Sequence, residues 1–125
     1  MTAPVDGSAP LTTVLEQWAD GIRLHDPDRV ASFFTEDAVF QGFDPAHTVG
    51  RAGVRAYYDK QPVGLTPTFT VRETRSLAAD ALLAFVDVDF APPGRDVIPT
   101  HLTIVLTRVG DAWLIAHYHV SKIGG

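Results

Sequence analysis

The spacing of the apolar residues changes midway along the chain, and this change constrains the fold more than any other feature. Up to about residue 61, apolar side chains recur every three or four positions, as they do along amphipathic helices. From Thr66 onward they alternate with polar ones, as they do along β-strands. Helices followed by a run of strands predict an α+β fold, with the helices on one face of a curved antiparallel sheet.

Three helices are predicted in the first half of the chain. The first has capping-box spacing at Thr13–Glu16 and continues to about Leu24. The second begins with Asp26 as its cap and Pro27 at the first helical position. The third covers Arg51–Gln61 and ends before a proline.

The strands follow from β-branched and alternating segments bounded by turn residues. The predicted strands are Ala38–Gln41, Thr66–Arg75, Ala81–Phe90, His101–Val109 and Ala112–Ser121.

Residues 1–10 are small, polar and proline-bearing, so we expect them to form a flexible lead-in to a single domain of residues 11–125.

Strand register decides which side chains share a face of the sheet. If Gly110 and Asp111 form a two-residue hairpin turn, Ile104 lies opposite His117. His119 is two residues further on and shares the face of His117, because strand side chains alternate. This register places two imidazoles on an otherwise apolar wall, and it remains a hypothesis because a slip of one residue reverses every assignment on the strand.

The opposite face of the sheet is also largely apolar, so we expect it to form the interface of a homodimer. Asp87 and Asp89 fall on this outer face, with Asp89 opposite His101. The two carboxylates could be mistaken for the acid and base of a hydrolase. An ion pair at the interface is the preferred interpretation.

Composition and motifs exclude several classes of protein. The formal net charge of -5 gives no basic footprint for nucleic acid, and no apolar run approaches the length of a membrane span. The chain has no cysteine, which excludes disulfides and thiolate sites and fits a reducing cytoplasm. Phosphate-loop and dinucleotide motifs are absent, so no cofactor is predicted.

Three stretches in this order resemble the nuclear transport factor 2-like superfamily, in the branch of the SnoaL-like polyketide cyclases and ketosteroid isomerases. They are VLEQWADGIRLHD with DPDRVASFFTEDAVF, then VGRAGVRAYYDKQ, then LTIVLTRVGDAWLIAHYHVS. The resemblance implies a cone-shaped sheet that wraps around the helices and leaves a pocket open at one end. Trp18, Gly42 and Ile104 stand where the isomerases carry their tyrosine and two aspartates, so the resemblance does not imply isomerase chemistry through these residues.

We predict a cofactor-independent enzyme that binds a small, apolar, carbonyl-bearing molecule. His119, helped by His117, would move a proton in a cyclisation, isomerisation or dehydration, because the pKa of histidine lies near neutral pH. Either of two tyrosines could orient the ligand carbonyl. The predicted substrate-binding residues are Trp18, Phe40, Tyr57, Tyr58, Val86, Val88, Phe90 and Ile104.

Two alternatives concern the histidines and the pocket. Two histidines two positions apart could hold a metal, but His101 falls on the opposite face and no third ligand is evident, so no metal is predicted. The alternative function is a non-catalytic dimeric module that binds or sequesters a ligand, or serves in assembly. An open, wet cavity containing both imidazoles would favour the enzyme, and a cavity packed by Trp18 and Tyr57 would favour the module.

Overall fold

Three helices and six strands make up residues 8–123, the part of the chain that the computed structural model describes. The predicted α+β class is confirmed. In chain order the elements are α1 (Ser8–Arg23), α2 (Pro27–Ser32), β1 (Phe34–Gln41), β2 (Thr48–Val49), α3 (Arg51–Asp59), β3 (Thr66–Ala78), β4 (Ala81–Ala91), β5 (Ile98–Val109) and β6 (Ala112–Lys122).

The six strands form one sheet in the order β2-β1-β6-β5-β4-β3. Neighbours are antiparallel except β1 and β6, which run parallel. The first long strand therefore lies beside the last one, with the helical half of the chain packed over the sheet. The core between helices and sheet is one continuous cluster of buried apolar side chains.

The first helix begins earlier than its capping-box spacing predicts. It starts at Ser8, so Thr13 lies inside the helix and the predicted lead-in is wrong for residues 8–10. Leu11 is fully buried in the core, and this contact favours extending the helix toward the N-terminus. Residues 1–7 of the predicted lead-in lie outside the described residues.

The cap of the second helix is confirmed by its geometry. The Asp26 carboxylate accepts a hydrogen bond of 3.2 Å from the backbone N–H of Arg29, and Pro27 is the first helical residue. The first strand begins at Phe34, directly after this helix and four residues before the predicted start at Ala38.

A bulge in β6 overturns the predicted orientation of the two histidines. The hairpin begins as predicted, with Val109 opposite Ala112, and reaches Leu106 opposite Ile115. The next partner of Val105 is His117, which leaves one extra residue, Ala116, in β6.

Because one inserted residue reverses the alternation, Tyr118 and Val120 point into the core beyond the bulge. His117 and His119 therefore lie on the outer face, and the prediction that they face the cavity is wrong.

The predicted register of β4 against β5 is displaced by two residues. β5 begins at Ile98, three residues earlier than predicted, and places Val86 opposite Leu102. An even displacement leaves every side chain on its predicted face. It also changes the ion pair, because Asp87 lies opposite His101 where Asp89 was predicted.

Candidate functional site

A pocket of about 230 Å³ lies between α3, the ends of β4, β5 and β6, and the loop that joins β4 to β5. Its walls are mainly apolar, with Leu65, Phe90, Ile98 and Val120 among them. Polar groups occur at two levels. Phenols line the buried part, and exposed charged side chains stand at the rim.

The predicted substrate-binding residues divide into three that line the pocket and five that support it. Those that line it are Tyr57, Tyr58 and Phe90. The supporting residues do not line this pocket: Trp18, Phe40, Val86, Val88 and Ile104. All five are buried in the core, so their predicted contact with a ligand is wrong for the pocket as it stands.

Tyr118 lines the pocket and was missed by the sequence analysis. It is almost fully buried, and its ring stacks on Phe40 with centroids 4.5 Å apart and planes 15° apart. Phe40 also makes edge contacts with the rings of Tyr57 and Tyr58, at 4.9 Å and 5.6 Å between centroids. Phe40 therefore acts as a support that fixes three phenol rings.

Two of the three phenols accept hydrogen bonds, and the third interacts with its neighbour. The indole N–H of Trp18 donates to the Tyr58 hydroxyl over 3.0 Å, and both groups are buried. The hydroxyls of Tyr58 and Tyr118 are close enough for each phenol to shift the pKa of the other. On the outer side, the backbone N–H of Phe43 donates to the Tyr57 hydroxyl over 3.1 Å.

At least one phenolic O–H in this cluster has no acceptor within the cluster. An indole N–H can only donate, so Tyr58 accepts from Trp18 and keeps its own proton. The contact between Tyr58 and Tyr118 uses one phenolic proton at most, so at least one of their two protons is left for a ligand. Tyr57 also accepts from Phe43, and its own proton is available as well.

The environment keeps these phenols neutral. Burial raises the pKa of Tyr58 well above its usual value, against the lowering effect of the hydrogen bonds with Tyr118 and Trp18. Burial raises the pKa of Tyr118 as well, and the neighbouring phenols add to the shift. For Tyr57, burial is again the largest cause of a raised pKa, with Asp44 contributing in the same direction. At neutral pH all three phenols are therefore hydrogen-bond donors.

The predicted catalytic histidines lie away from this pocket. His119 is exposed and borders a shallow groove at the end of β6, with Gln41 and Lys122, and this groove shares Phe43 and Val120 with the pocket. His117 is half-buried on the outer face, with Val39 as its neighbour on β1 and Val105 as its neighbour on β5. Neither imidazole is among the residues that line the pocket.

The outer face carries an ion-pair group of its own. Asp87 contacts the Nε of Arg72 at 2.7 Å and the Nδ1 of His101 at 2.9 Å. The hydrogen bonds from Arg72 and then from His101 lower the pKa of the Asp87 carboxyl. As predicted, Asp87 and Asp89 point away from the pocket.

Within residues 8–123, no group of three or more His, Asp or Glu side chains is placed to hold a metal ion. Of the helices in this part of the chain, none is both long enough and apolar enough to cross a membrane.

The fold and the pocket define the class, an α+β domain whose helices and sheet enclose a pocket at one end. The chain belongs to the SnoaL-like domain family, whose pattern matches residues 11–124. The resemblance drawn from the sequence is therefore confirmed at the level of the superfamily. No curated protein matches the chain in sequence.

Solved structures with this fold are similar over nearly the whole chain. A ketosteroid isomerase-like protein from Erwinia carotovora atroseptica has a TM-score of 0.82 and 18% identity, covering 97% of this chain and 99% of its own. A domain of unknown function with a cystatin-like fold from Nostoc punctiforme has a TM-score of 0.81 and 22% identity, covering 97% and 79%. A LinA-type hexachlorocyclohexane dehydrochlorinase from Novosphingobium barchaimii has a TM-score of 0.80 and 16% identity, covering 94% and 90%. At these identities the likeness concerns the fold alone.

Proposed function

We propose that this chain binds a small, mostly apolar molecule through a carbonyl oxygen, which accepts a hydrogen bond from the Tyr58–Tyr118 pair. The observation that carries the proposal is the unused phenolic proton in a pocket with apolar walls. A buried donor without a partner costs about 1–3 kcal/mol, and a ligand oxygen removes that cost. A pocket of this kind therefore selects a ligand with an acceptor at its buried end.

The volume of the pocket limits the size of the ligand. An apolar cavity of about 150 Å³ holds benzene, and pockets for drug-sized ligands begin at about 300 Å³. At about 230 Å³, this pocket fits one ring with short substituents. A four-ring skeleton would not fit without opening the pocket.

We also propose that the bound carbonyl compound is turned over by enolisation. A fixed neutral donor stabilises the negative charge that develops on the oxygen when an α-proton leaves. Asp96 is the carboxylate among the lining residues and would accept that proton from a ligand whose α-carbon points from the phenols toward the rim. Returning the proton to another carbon completes an isomerisation, and loss of a β-hydroxyl completes a dehydration. Two similar structures bear the names of a ketosteroid isomerase-like protein and a dehydrochlorinase, which fits proton chemistry of this kind.

A non-catalytic role is the second candidate, because Asp96 is exposed and no imidazole lines the pocket. Such a protein would sequester the ligand without changing it. The two candidates differ in one measurement, the exchange of methyl protons of 4-acetylbenzamide in D₂O followed by NMR. Accelerated exchange that is lost in Asp96→Asn supports the enzyme, and binding without exchange supports sequestration.

The binding proposal is tested with the Tyr58→Phe/Tyr118→Phe double variant. We expect the Kd for 4-acetylbenzamide to rise by about tenfold, since the donor to the carbonyl is gone. His117→Ala/His119→Ala is a control with the same number of substitutions, on the outer face of the strand that carries Tyr118. Equal affinity of the wild type and the double phenol variant would contradict the proposal.

We further propose that the outer face of the sheet pairs with a second copy of the chain. Apolar side chains on this face include Leu83, Phe85, Val105 and Leu114. Phe85 is 50% exposed in the middle of β4, which is unusual for a large aromatic side chain. The helices already cover the other face, so a partner would leave the pocket open.

A further inference from the structure

We infer that the natural ligand of this pocket is an anion, an apolar carboxylate whose carbonyl reaches the phenols and whose carboxylate meets Arg95 at the rim. The inference rests on the proposed function, because it assigns the outer end of the same ligand. It adds a chemical class for the substrate and a residue that determines specificity.

Arg95 has no anionic partner in the part of the chain that the structure describes. It lines the pocket and is exposed, and its side chain makes neither an ion pair nor a hydrogen bond with the residues described. A guanidinium presents a planar set of donors that matches a carboxylate with two parallel hydrogen bonds. An unpaired guanidinium beside apolar walls therefore favours a ligand that carries both features.

The turn that carries Arg95 is held in place. The Arg95 N–H donates to the Pro92 carbonyl over 3.3 Å, and Gly94 has a φ of +69°, a conformation that favours glycine. Pro93 packs against the loop after α3, where a Cβ on Gly64 would lie 2.9 Å from its ring. The two loops thus brace each other across the rim of the pocket, and Arg95 is positioned by the fold.

Charges of both signs surround the rim of the pocket. The carboxylate of Asp44 is paired with Lys60 at 2.8 Å. Lys122 lies over the ring of the pocket residue Phe43, at 4.8 Å from the centroid, and has no carboxylate partner among residues 8–123.

Arg95 and Asp96 are the two charged residues that line the described pocket, and Asp96 is its one unpaired carboxylate. With Lys122, which lies beside the pocket over Phe43, two cations stand near one unpaired carboxylate, against the formal charge of -5 on the whole chain. These two cations would attract an anion to the rim, most strongly at low salt.

The test uses a matched pair of ligands, 4-acetylbenzoate and 4-acetylbenzamide, which differ only in the charge of the outer group. We expect the wild type to bind the benzoate more tightly, and the preference to shrink as salt is added. In Arg95→Leu the Kd of the benzoate should rise by about tenfold while that of the amide changes less than twofold. Arg95→Lys should restore part of the preference, since it keeps the charge without the planar fork.

Arg75→Leu is the control, because it removes an exposed arginine at the far end of β3. We expect it to leave the preference between the two ligands unchanged. An equal loss of both ligands in Arg95→Leu, or no preference in the wild type, overturns the inference and leaves the proposed function standing. If neither ligand binds the wild type, the proposed function fails first, and this inference with it.

Discussion

Tyr58 is the residue on which the pocket depends most. Its hydroxyl accepts from the buried Trp18 N–H over 3.0 Å and contacts the Tyr118 hydroxyl. It therefore connects the core to the pocket. A substitution at this position should affect stability and ligand binding together, whereas one at Tyr118 should mainly affect binding.

The two phenols should differ in their contribution to stability. Tyr58→Phe leaves the buried Trp18 N–H without its acceptor, so we expect the free energy of unfolding to fall by about 1–3 kcal/mol. Tyr118→Phe keeps that hydrogen bond and should cost less. Urea unfolding of both variants gives the comparison. A larger loss for Tyr118→Phe would contradict the proposed hydrogen-bond network.

The raised pKa values of the phenols predict a loss of stability at alkaline pH. Above about pH 10 the phenols of the unfolded chain release their protons, while burial keeps Tyr58 and Tyr118 protonated in the folded state. The unfolded chain then binds fewer protons, so the free energy of unfolding falls as the pH rises. The Tyr58→Phe/Tyr118→Phe variant should show a weaker fall. Equal slopes would show that these phenols do not carry the effect.

Some of the individual residues that line the pocket could be predicted from the sequence. The Tyr57 and Tyr58 pair and Phe90 line it as expected. Tyr118 was assigned to the outer face by strict alternation. The available signal was the row of Tyr118 and Val120, which is more apolar than the row of His117 and His119 and is better suited to a core.

The bulge at Ala116 is the element that separates the predicted site from the observed one. Alternation from Trp113 to Ile115 is correct, and one extra residue then reverses the rest of the strand. The sequence has no glycine or proline at this position from which a bulge could be predicted. The parallel pairing of β1 and β6 shows an irregularity at the same level, between Phe34 and Val39. Such long-range pairing cannot be read from either strand alone.

The bulge makes a clear prediction about the histidines. His117→Ala/His119→Ala should change the Kd for 4-acetylbenzoate by less than about twofold, because both rings lie on the outer face. Isothermal titration of the variant and the wild type provides the measurement. A loss of tenfold or more would mean that the imidazoles reach the ligand and that the β6 register is different in solution.

The elements themselves were predicted more reliably than their ends. The α+β order, the cap at Asp26 and the hairpin after Val109 follow from local spacing and turn chemistry. The short strand Thr48–Val49 and the first turn of α1 were missed, since their structure depends on contacts with distant residues. The displacement of β4 against β5 by two residues could not be predicted from alternation, because a shift of two leaves the alternation of side chains unchanged.

In the whole molecule, the two faces of the sheet have different roles. One face builds the core and the pocket, and the other presents apolar side chains together with the Arg72–Asp87–His101 group. If the outer face pairs with a second copy, the ligand pockets remain accessible in the assembly. Binding and assembly should therefore be separable by mutation.

The proposed homodimer is tested by introducing charge at the centre of the outer face. Phe85→Glu/Val105→Glu should convert the dimer to a monomer, because two desolvated carboxylates would have no partner at the interface. Analytical ultracentrifugation measures the mass, and 4-acetylbenzoate binding should be retained. Leu24→Glu is the control, since Leu24 is an exposed apolar residue on the helical side. A wild type that sediments as a monomer would contradict the proposal.

The central claim is that a phenolic proton of the Tyr58–Tyr118 pair is donated to the carbonyl of the ligand. Infrared spectra of 4-acetylbenzamide labelled with ¹³C at the ketone measure this contact directly. We expect the ketone stretch to lie at a lower frequency when the ligand is bound to the wild type than when it is bound to Tyr58→Phe/Tyr118→Phe. The same frequency in both complexes would show that the phenols do not touch the carbonyl, and the account of the pocket would be wrong.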